Sequence, residues 1–411
     1  MASASVSAVA ENDDLLSEIL LRLSPEPSSL PRASLVCKRW RRLLSDPAFR
    51  RRFRVHHHRR GTPPLLGFFA TDRGTVAFHP ALPAPDRLPR GHFSLALGAG
   101  YETLGWRHGL ALFYSEASYQ VLVWDPLAGA RHRLDIPQGF EPDPSHNPIN
   151  GAVLRGATGD DAADRFQVVL ATSDGRGPAR ACVYSSDTSL WGDFISAELP
   201  YATMLHSAPS VLAGDRIYWL ISLTTILEFD LGRQSLASTV VPPGMLHGSS
   251  QQCAVIRGED GAMGFLDVVG FTAQLWRWET DCDGVGSWMP GRTVDLDSLL
   301  PPEPENPLML CYAEENNVAF FWTVLGVFTF HLKSLELKRL SETGISGYHH
   351  HPFETVYTPG IGGGQEEPEP ELEPEPVRRS WWKRWKQSIR GLFCLSRYLR
   401  IEPANRHDIA R

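Results

Sequence analysis

The side chains of this 411-residue chain whose types and spacing invite chemistry are two histidine triplets, at 56–58 and 349–351, a glycine run at 360–364, and six cysteines. Imidazoles could hold a metal. Three adjacent residues on one loop rarely converge on a tetrahedral ion without further ligands, so both triplets read as solvated polar turns. The run Gly360-Ile361-Gly362-Gly363-Gly364 would cradle a phosphate only with a helix behind it. Glu-Pro repeats follow instead, and it reads as linker. The cysteines, at 37, 182, 253, 282, 311 and 394, include no Cys-x-x-Cys pair. That indicates neither a zinc site nor a disulfide framework, and it suits a reducing compartment. No G-x-S-x-G elbow, G-x-x-x-x-G-K-S/T phosphate loop or H-E-x-x-H zinc helix is present. The pattern predicts a chain without catalytic residues, metal or cofactor, working by recognition rather than turnover.

The chemistry that remains is apolar. Leu15, Leu16, Ile19, Leu20 and Leu23 recur at three- and four-residue spacing, which predicts one apolar stripe on a helix. Asn12 is placed to cap it, with Asp13 and Asp14 at the positive end of its dipole. Pro25 and Pro27 stop it, because proline lacks the N–H that the next turn needs. Ser29 with Pro31 predicts a second helix with Ala33, Val36, Trp40 and Leu44 on one face, widened by Leu35 and Leu43. Ser45-Asp46-Pro47 predicts the cap of a third, short helix holding Phe49 and Phe53. A segment of about forty residues cannot bury all this on itself. The surplus predicts a partner.

At these residues the chain resembles the F-box family. The family's leucine-rich first helix, its Leu-Val-Cys-Lys-Arg-Trp and its Ser-Asp-Pro-x-Phe stand here at 15–23, 35–40 and 45–49. The run at 25–34 looks like a version common among grass-plant members. The Leu-Pro pair that usually opens the first helix is Glu11-Asn12 here. The resemblance implies docking onto a Skp-type adaptor, and through it a cullin, in a Skp–cullin–F-box ubiquitin ligase. Leu15, Leu16, Ile19, Leu20, Leu23, Leu35, Val36, Cys37, Trp40 and Phe49 would then form the adaptor-binding surface or the small core that shapes it.

Composition bounds the rest. Hydrophobic content of 42 % is that of a soluble globular protein, and the net charge of −7 conceals a basic arm. Residues 11–60 carry twelve Lys/Arg against six Asp/Glu. The N-terminus lacks the basic start and long apolar run of a signal peptide. The longest uncharged run, 318–330, is too short to span a bilayer and reads as two buried strands around a tight turn. A cytoplasmic or nuclear protein is expected.

From about residue 61 to 359 the periodicity changes from helix to strand. Runs such as 109–114, 120–125, 166–172, 216–222, 225–231, 274–280 and 327–332 are rich in β-branched and aromatic residues between turn-forming clusters. A loose repeat places an aromatic before a turn at Phe78-His79-Pro80, Trp124-Asp125-Pro126, Tyr184-Ser185-Ser186, Phe229-Asp230-Leu231, Trp278-Glu279-Thr280 and Phe330-His331-Leu332. The steps are 46, 60, 45, 49 and 52 residues, and a four-stranded propeller blade takes roughly 40–50. An all-β domain is expected, a propeller of about six blades rather than a β-sandwich. Here the chain also resembles the F-box-associated domains of plant proteins, at Gly109-Leu110, Val123-Trp124-Asp125-Pro126, Tyr184-Ser185-Ser186, Tyr218-Trp219-Leu220, Phe229-Asp230 and Leu275-Trp276. Loops at 137–149 and 343–353 are candidates for contact with a target, with plain solvated loops the alternative.

The C-terminal end is distinct. A Gly and Glu/Pro linker occupies 360–376, and 377–411 is a basic, Trp-rich tail, as residues 1–10 are an unstructured start. Trp381, Trp382, Trp385, Ile389 and Leu392 are interleaved with basic residues. On a helix Trp381, Trp385, Ile389, Leu392 and Leu399 would gather on one side with Lys383, Arg384, Lys386 and Arg390 mostly on the other, which suits an anionic membrane surface or calmodulin. Packing on the chain itself stays open. The reading is thus an α+β multidomain chain that recruits a protein substrate, as yet undefined, to a ubiquitin ligase. The alternative is a membrane- or calmodulin-associated scaffold acting through its tail. No nucleic-acid partner is expected, since the basic residues belong to no reading module.

Overall fold

A computed structural model of the chain describes residues 12–360, apart from positions 73, 99, 139, 141–148, 157–164, 174–176, 200–208, 222–223, 245–251, 284, 301–305 and 341–349. Helices α1 (Asp13–Leu20), α2 (Ser29–Ser34), α3 (Lys38–Ser45) and α4 (Pro47–Arg60) come first, and strands begin at Leu65. Among the described residues the strands form six antiparallel sheets. Five are built from consecutive strands, as in Tyr101–Arg107, Leu110–Ser115, Gln120–Asp125 and Ala130–Asp135. The remaining sheet draws on both ends of the β region: His350–Glu354 pairs with Leu65–Asp72, which continues to Thr75–Pro80 and Ser94–Ala96. Inner strands pack on inner strands, so His350–Glu354 lies between Leu308–Ala313 and Tyr101–Arg107. A ring closed in this way by its own last strand is a six-bladed β-propeller.

The repeat legible in the sequence marks one place in each blade. Phe78, Trp124, Tyr184, Phe229, Trp278 and Phe330 all lie on the third strand. The turn that follows is held by the strand's own end where it carries aspartate. Asp125 Oδ1 accepts from the N–H groups of Leu127 and Ala128, and Asp230 Oδ1 from that of Arg233. Ser189, Gln234 and Leu335 then take positive φ, at 57°, 49° and 59°, just before the outer strand begins.

Burial is divided among the joints between blades. One cluster joins Leu112 and Val123 to Val153 and Leu170, another joins Ala171 and Ala181 to Trp219 and Leu227, and each further joint has its own. Because a blade is covered on both faces, alternation disappears where the ring is densest. Every residue of Leu110–Ser115 is buried. At the axis Arg107 and Glu314, from the second and sixth blades, form a buried ion pair. Arg107 Nη2 donates to the Ser210 carbonyl at 2.9 Å, and Glu314 accepts from the Leu212 N–H at 2.9 Å, which ties in the fourth blade.

Several expectations change. The second helix is two helices, because Cys37 is extended (φ −161°, ψ 167°) and caps α3. The tight i→i+3 bonds Leu35 N–H to Arg32 C=O and Val36 N–H to Ala33 C=O close α2 first. Trp40 and Leu44 still share a face of α3 and turn to the same core as Ala33, but Val36, at the break, is exposed. The third helix is long, since Asp46 caps it, Pro47 starts it and no breaker intervenes before Gly61. It absorbs residues 56–58, which are helical rather than a turn. In the second triplet His350 and His351 are buried core residues of the closing strand, not solvated. That strand also removes 350–353 from the candidate loops. At 137–149, Phe140 is buried and Ile149 opens an inner strand. Residues 141–148 and 341–349, and Trp381, Trp382, Trp385, Ile389 and Leu392 of the tail, lie outside the described residues.

Candidate functional site

The helical head sorts its apolar residues by the face on which each falls. In α1, Asn12 Oδ1 accepts from the N–H groups of Asp14 (2.9 Å) and Leu15 (3.2 Å), which fixes the first turn. One face then carries Leu16 and Leu20, buried with Leu21. The next carries Leu15 and Ile19, four residues apart and 47 % and 45 % exposed. From α2 the core receives Leu30 and Ala33, from α3 Leu44, and from α4 Phe49 and Phe53, whose rings stand 6.3 Å apart. Leu23, Trp40 and Leu43 are partly buried around it.

The break between α2 and α3 is the most exposed apolar place in the head. Leu35 is 84 % and Val36 64 % exposed, and Cys37 is exposed beside them. Charge places this knuckle relative to α1. The Arg39 guanidinium lies 2.6 Å from the Asp13 carboxylate and Arg42 lies 3.2 Å from it. Arg39 is two residues past Cys37, and Asp13 two before Leu15. The same pairs neutralise Asp13, while exposed Lys38 and Arg41 leave the rim basic. On the far side Arg52 reaches Glu18 at 2.8 Å and clamps α4 to α1. The histidines of α4 take no part in the rim. The His57 ring lies 4.4 Å from that of Phe53, tilted 59° to it, and burial, then neighbouring His56, lowers its imidazole below the ordinary histidine range.

Of the ten residues expected at the partner surface, Leu15, Ile19, Leu35, Val36 and Cys37 are exposed, Leu23 and Trp40 are partly covered, and Leu16, Leu20 and Phe49 are core. The sequence reading missed Leu21 and Leu30 as core and the Asp13 brace as a positioning element. Leu21 carried a partial signal. It stands one helical turn beyond Ser17, which is itself buried, but a serine at that place interrupts the apolar pattern. The brace carried none, since its charges are 26 and 29 residues apart.

Comparison with known families agrees with both halves of the geometry. Residues 13–56 match the F-box-like family, and residues 104–359 match the family described as F-box protein AT5G49610-like, beta-propeller. The chain belongs to that propeller family. No curated protein matches it. The F-box match spans α1 to α4 up to His56, and the propeller match runs from the second blade through the closing strand. Strands Leu65–Asp72, Thr75–Pro80 and Ser94–Ala96 of the first blade fall outside both. The F-box thus supplies an exposed apolar rim over a buried core, and the propeller a ring whose joints are packed throughout.

Proposed function

We propose that this F-box protein is the substrate-recognition subunit of a Skp–cullin–F-box ubiquitin ligase and carries no catalytic chemistry of its own. One observation supports it above the others: Leu15, Ile19, Leu35 and Val36 remain exposed although the core beneath them is buried. Side chains of this size stabilise a contact by roughly 1.5–3 kcal/mol each when fully buried. They suit a Skp-type adaptor, which would bring the cullin. The target would meet the propeller at the end away from the F-box. Inner strands end at Arg107, Ala313 and Glu354, with Glu314 beside them, so they begin at the opposite end, where surface changes leave the packed joints undisturbed.

The test is co-purification of a Skp-type adaptor with the full chain and with Leu35→Asp/Val36→Asp. The exposed pair can be changed with little effect on the fold, about 0.5 kcal/mol or less. Loss of the adaptor from a variant with wild-type thermal stability is the expected result. Equal recovery from both proteins would end the assignment.

A further inference from the structure

The helices of the F-box do not complete their own core. Among Leu16, Leu20, Leu30, Leu44 and Phe53 sits Val356, 0 % exposed, from the opposite end of the described chain. It comes two residues after His350–Glu354, the strand that closes the ring. Its neighbours on both sides are held by the propeller. Phe353 packs between the first and second blades, and the Thr355 N–H donates to the Pro64 carbonyl at 3.2 Å. Tyr357 stands 5.6 Å from Phe93, with its hydroxyl 2.9 Å from His92 Nε2. The ring therefore decides where Val356 is, while its side chain fills the F-box.

Other contacts run across the same joint. Asn316 Nδ2 donates to the Pro63 carbonyl at 2.9 Å, Arg54 Nη1 to Thr358 Oγ1 at 2.9 Å, and the Ser28 N–H to Asp86 Oδ1 at 2.9 Å. Gly109, at φ +76°, passes so close that a Cβ there would stand 2.9 Å from Thr355 Oγ1. Helix α1 has eight residues. A helix of that length has almost no stability by itself and exists because its apolar face is packed.

We propose that Val356 is a positioning residue for the adaptor surface, and that order in the F-box depends on closure of the propeller. A chain whose last strand is not seated lacks the residue on which α1 and α4 pack, so it presents Leu15 and Ile19 on an unfinished helix. The dependence runs one way in packing, because among the described residues the apolar clusters at the ring's joints contain no F-box side chain; from the F-box, the charge of His58 reaches Arg155 and His108. The consequence for docking rests on the function proposed above; the coupling itself does not.

Hydrogen exchange on the full-length chain reads the coupling without any adaptor. Val356→Thr keeps the shape and removes the apolarity, and Val356→Ala removes volume instead. Each is expected to speed exchange in residues 13–20 and 47–56 by about tenfold, with exchange in 110–115 of the ring unchanged. Binding of a purified Skp-type adaptor is expected to weaken about tenfold in parallel. Leu35→Asp is expected to lose the adaptor with no change in exchange. F-box exchange within about twofold of wild type in both Val356 variants, or equal acceleration in ring and F-box, would overturn the proposal. A wild type that binds no adaptor would end the docking function and leave the exchange result to decide the coupling.

Discussion

Glu354 shows how much one side chain can fix. It ends the closing strand, and its carboxylate accepts from the Asn316 N–H at 2.7 Å, Asn316 Nδ2 at 2.8 Å and the Glu315 N–H at 3.2 Å. Burial pushes its pKa up from the ordinary 4.5 to about 7. The Asn316 bonds oppose that rise, nearby Glu314 adds to it, and Tyr312 and Cys311 are the other titratable groups that feel its charge. The folded state holds this proton more tightly than the unfolded chain does. The stability it contributes is therefore fully present below pH 4.5 and is lost as pH rises through 7. Thermal melts from pH 4.5 to 8 should show wild type losing Tm over that window relative to Glu354→Gln. Parallel curves for the two proteins would mean that Glu354 does not titrate there. Nothing in the sequence distinguishes this glutamate from the six in the Glu/Pro linker, because the groups that surround it come from another blade.

At the scale of elements, strand identity was legible and register was not. Residues 120–125 and 166–172 are strands to the residue, and 318–330 forms two strands, Val318–Thr323 and Gly326–His331, about a tight turn. Alternating or continuous apolar runs between turn formers need no tertiary context to be recognised. Bulges do. The register of Leu65–Asp72 against His350–Glu354 slips between Leu65 and Gly67. There a Cβ on Gly67 would stand 2.1 Å from the His79 carbonyl oxygen and 2.7 Å from the Phe78 ring. Backbone cannot yield as a flexible side chain does. Gly67→Ala is expected to destabilise the chain by about 3 kcal/mol, at the upper end of ordinary overpacking. Denaturant titration reads it, and an unchanged midpoint would show that the strand shifts freely. The helical elements were less legible. The chain at 29–45 has neither Gly nor, after Pro31, another Pro to announce a break, yet Cys37 is extended and Leu30, Ala33 and Leu44 enter one core from two helices.

The β region, taken whole, is a ring closed by its own last strand. Radial repetition gives each blade two neighbours, so removal of one contact leaves both sides uncovered. At the axis the Arg107–Glu314 pair joins the second, fourth and sixth blades. A buried pair is a poor source of net stability but a costly thing to break, since the surviving charge is left without a partner. Glu314→Ala is expected to destabilise the chain by about 3–5 kcal/mol, and Arg107→Met/Glu314→Leu by much less than that. Equal losses in single and double variants, measured by chemical denaturation, would show that packing rather than charge matters at the axis.

By itself the sequence determined the classes of structure and their order along the chain. Leucine spacing with an Asn cap marks the head, the aromatic before each turn marks six blades, and both signals are local, set within one helical turn or one hairpin. The tertiary structure alone decided which head leucines are core and which are rim, that two histidines are buried in the closing strand, and that Val356 belongs to the F-box. Those facts depend on residues some three hundred positions apart meeting at one joint, and no local pattern encodes such a meeting. Solvent exposure is a property of what a side chain meets in the folded chain, not of the side chain.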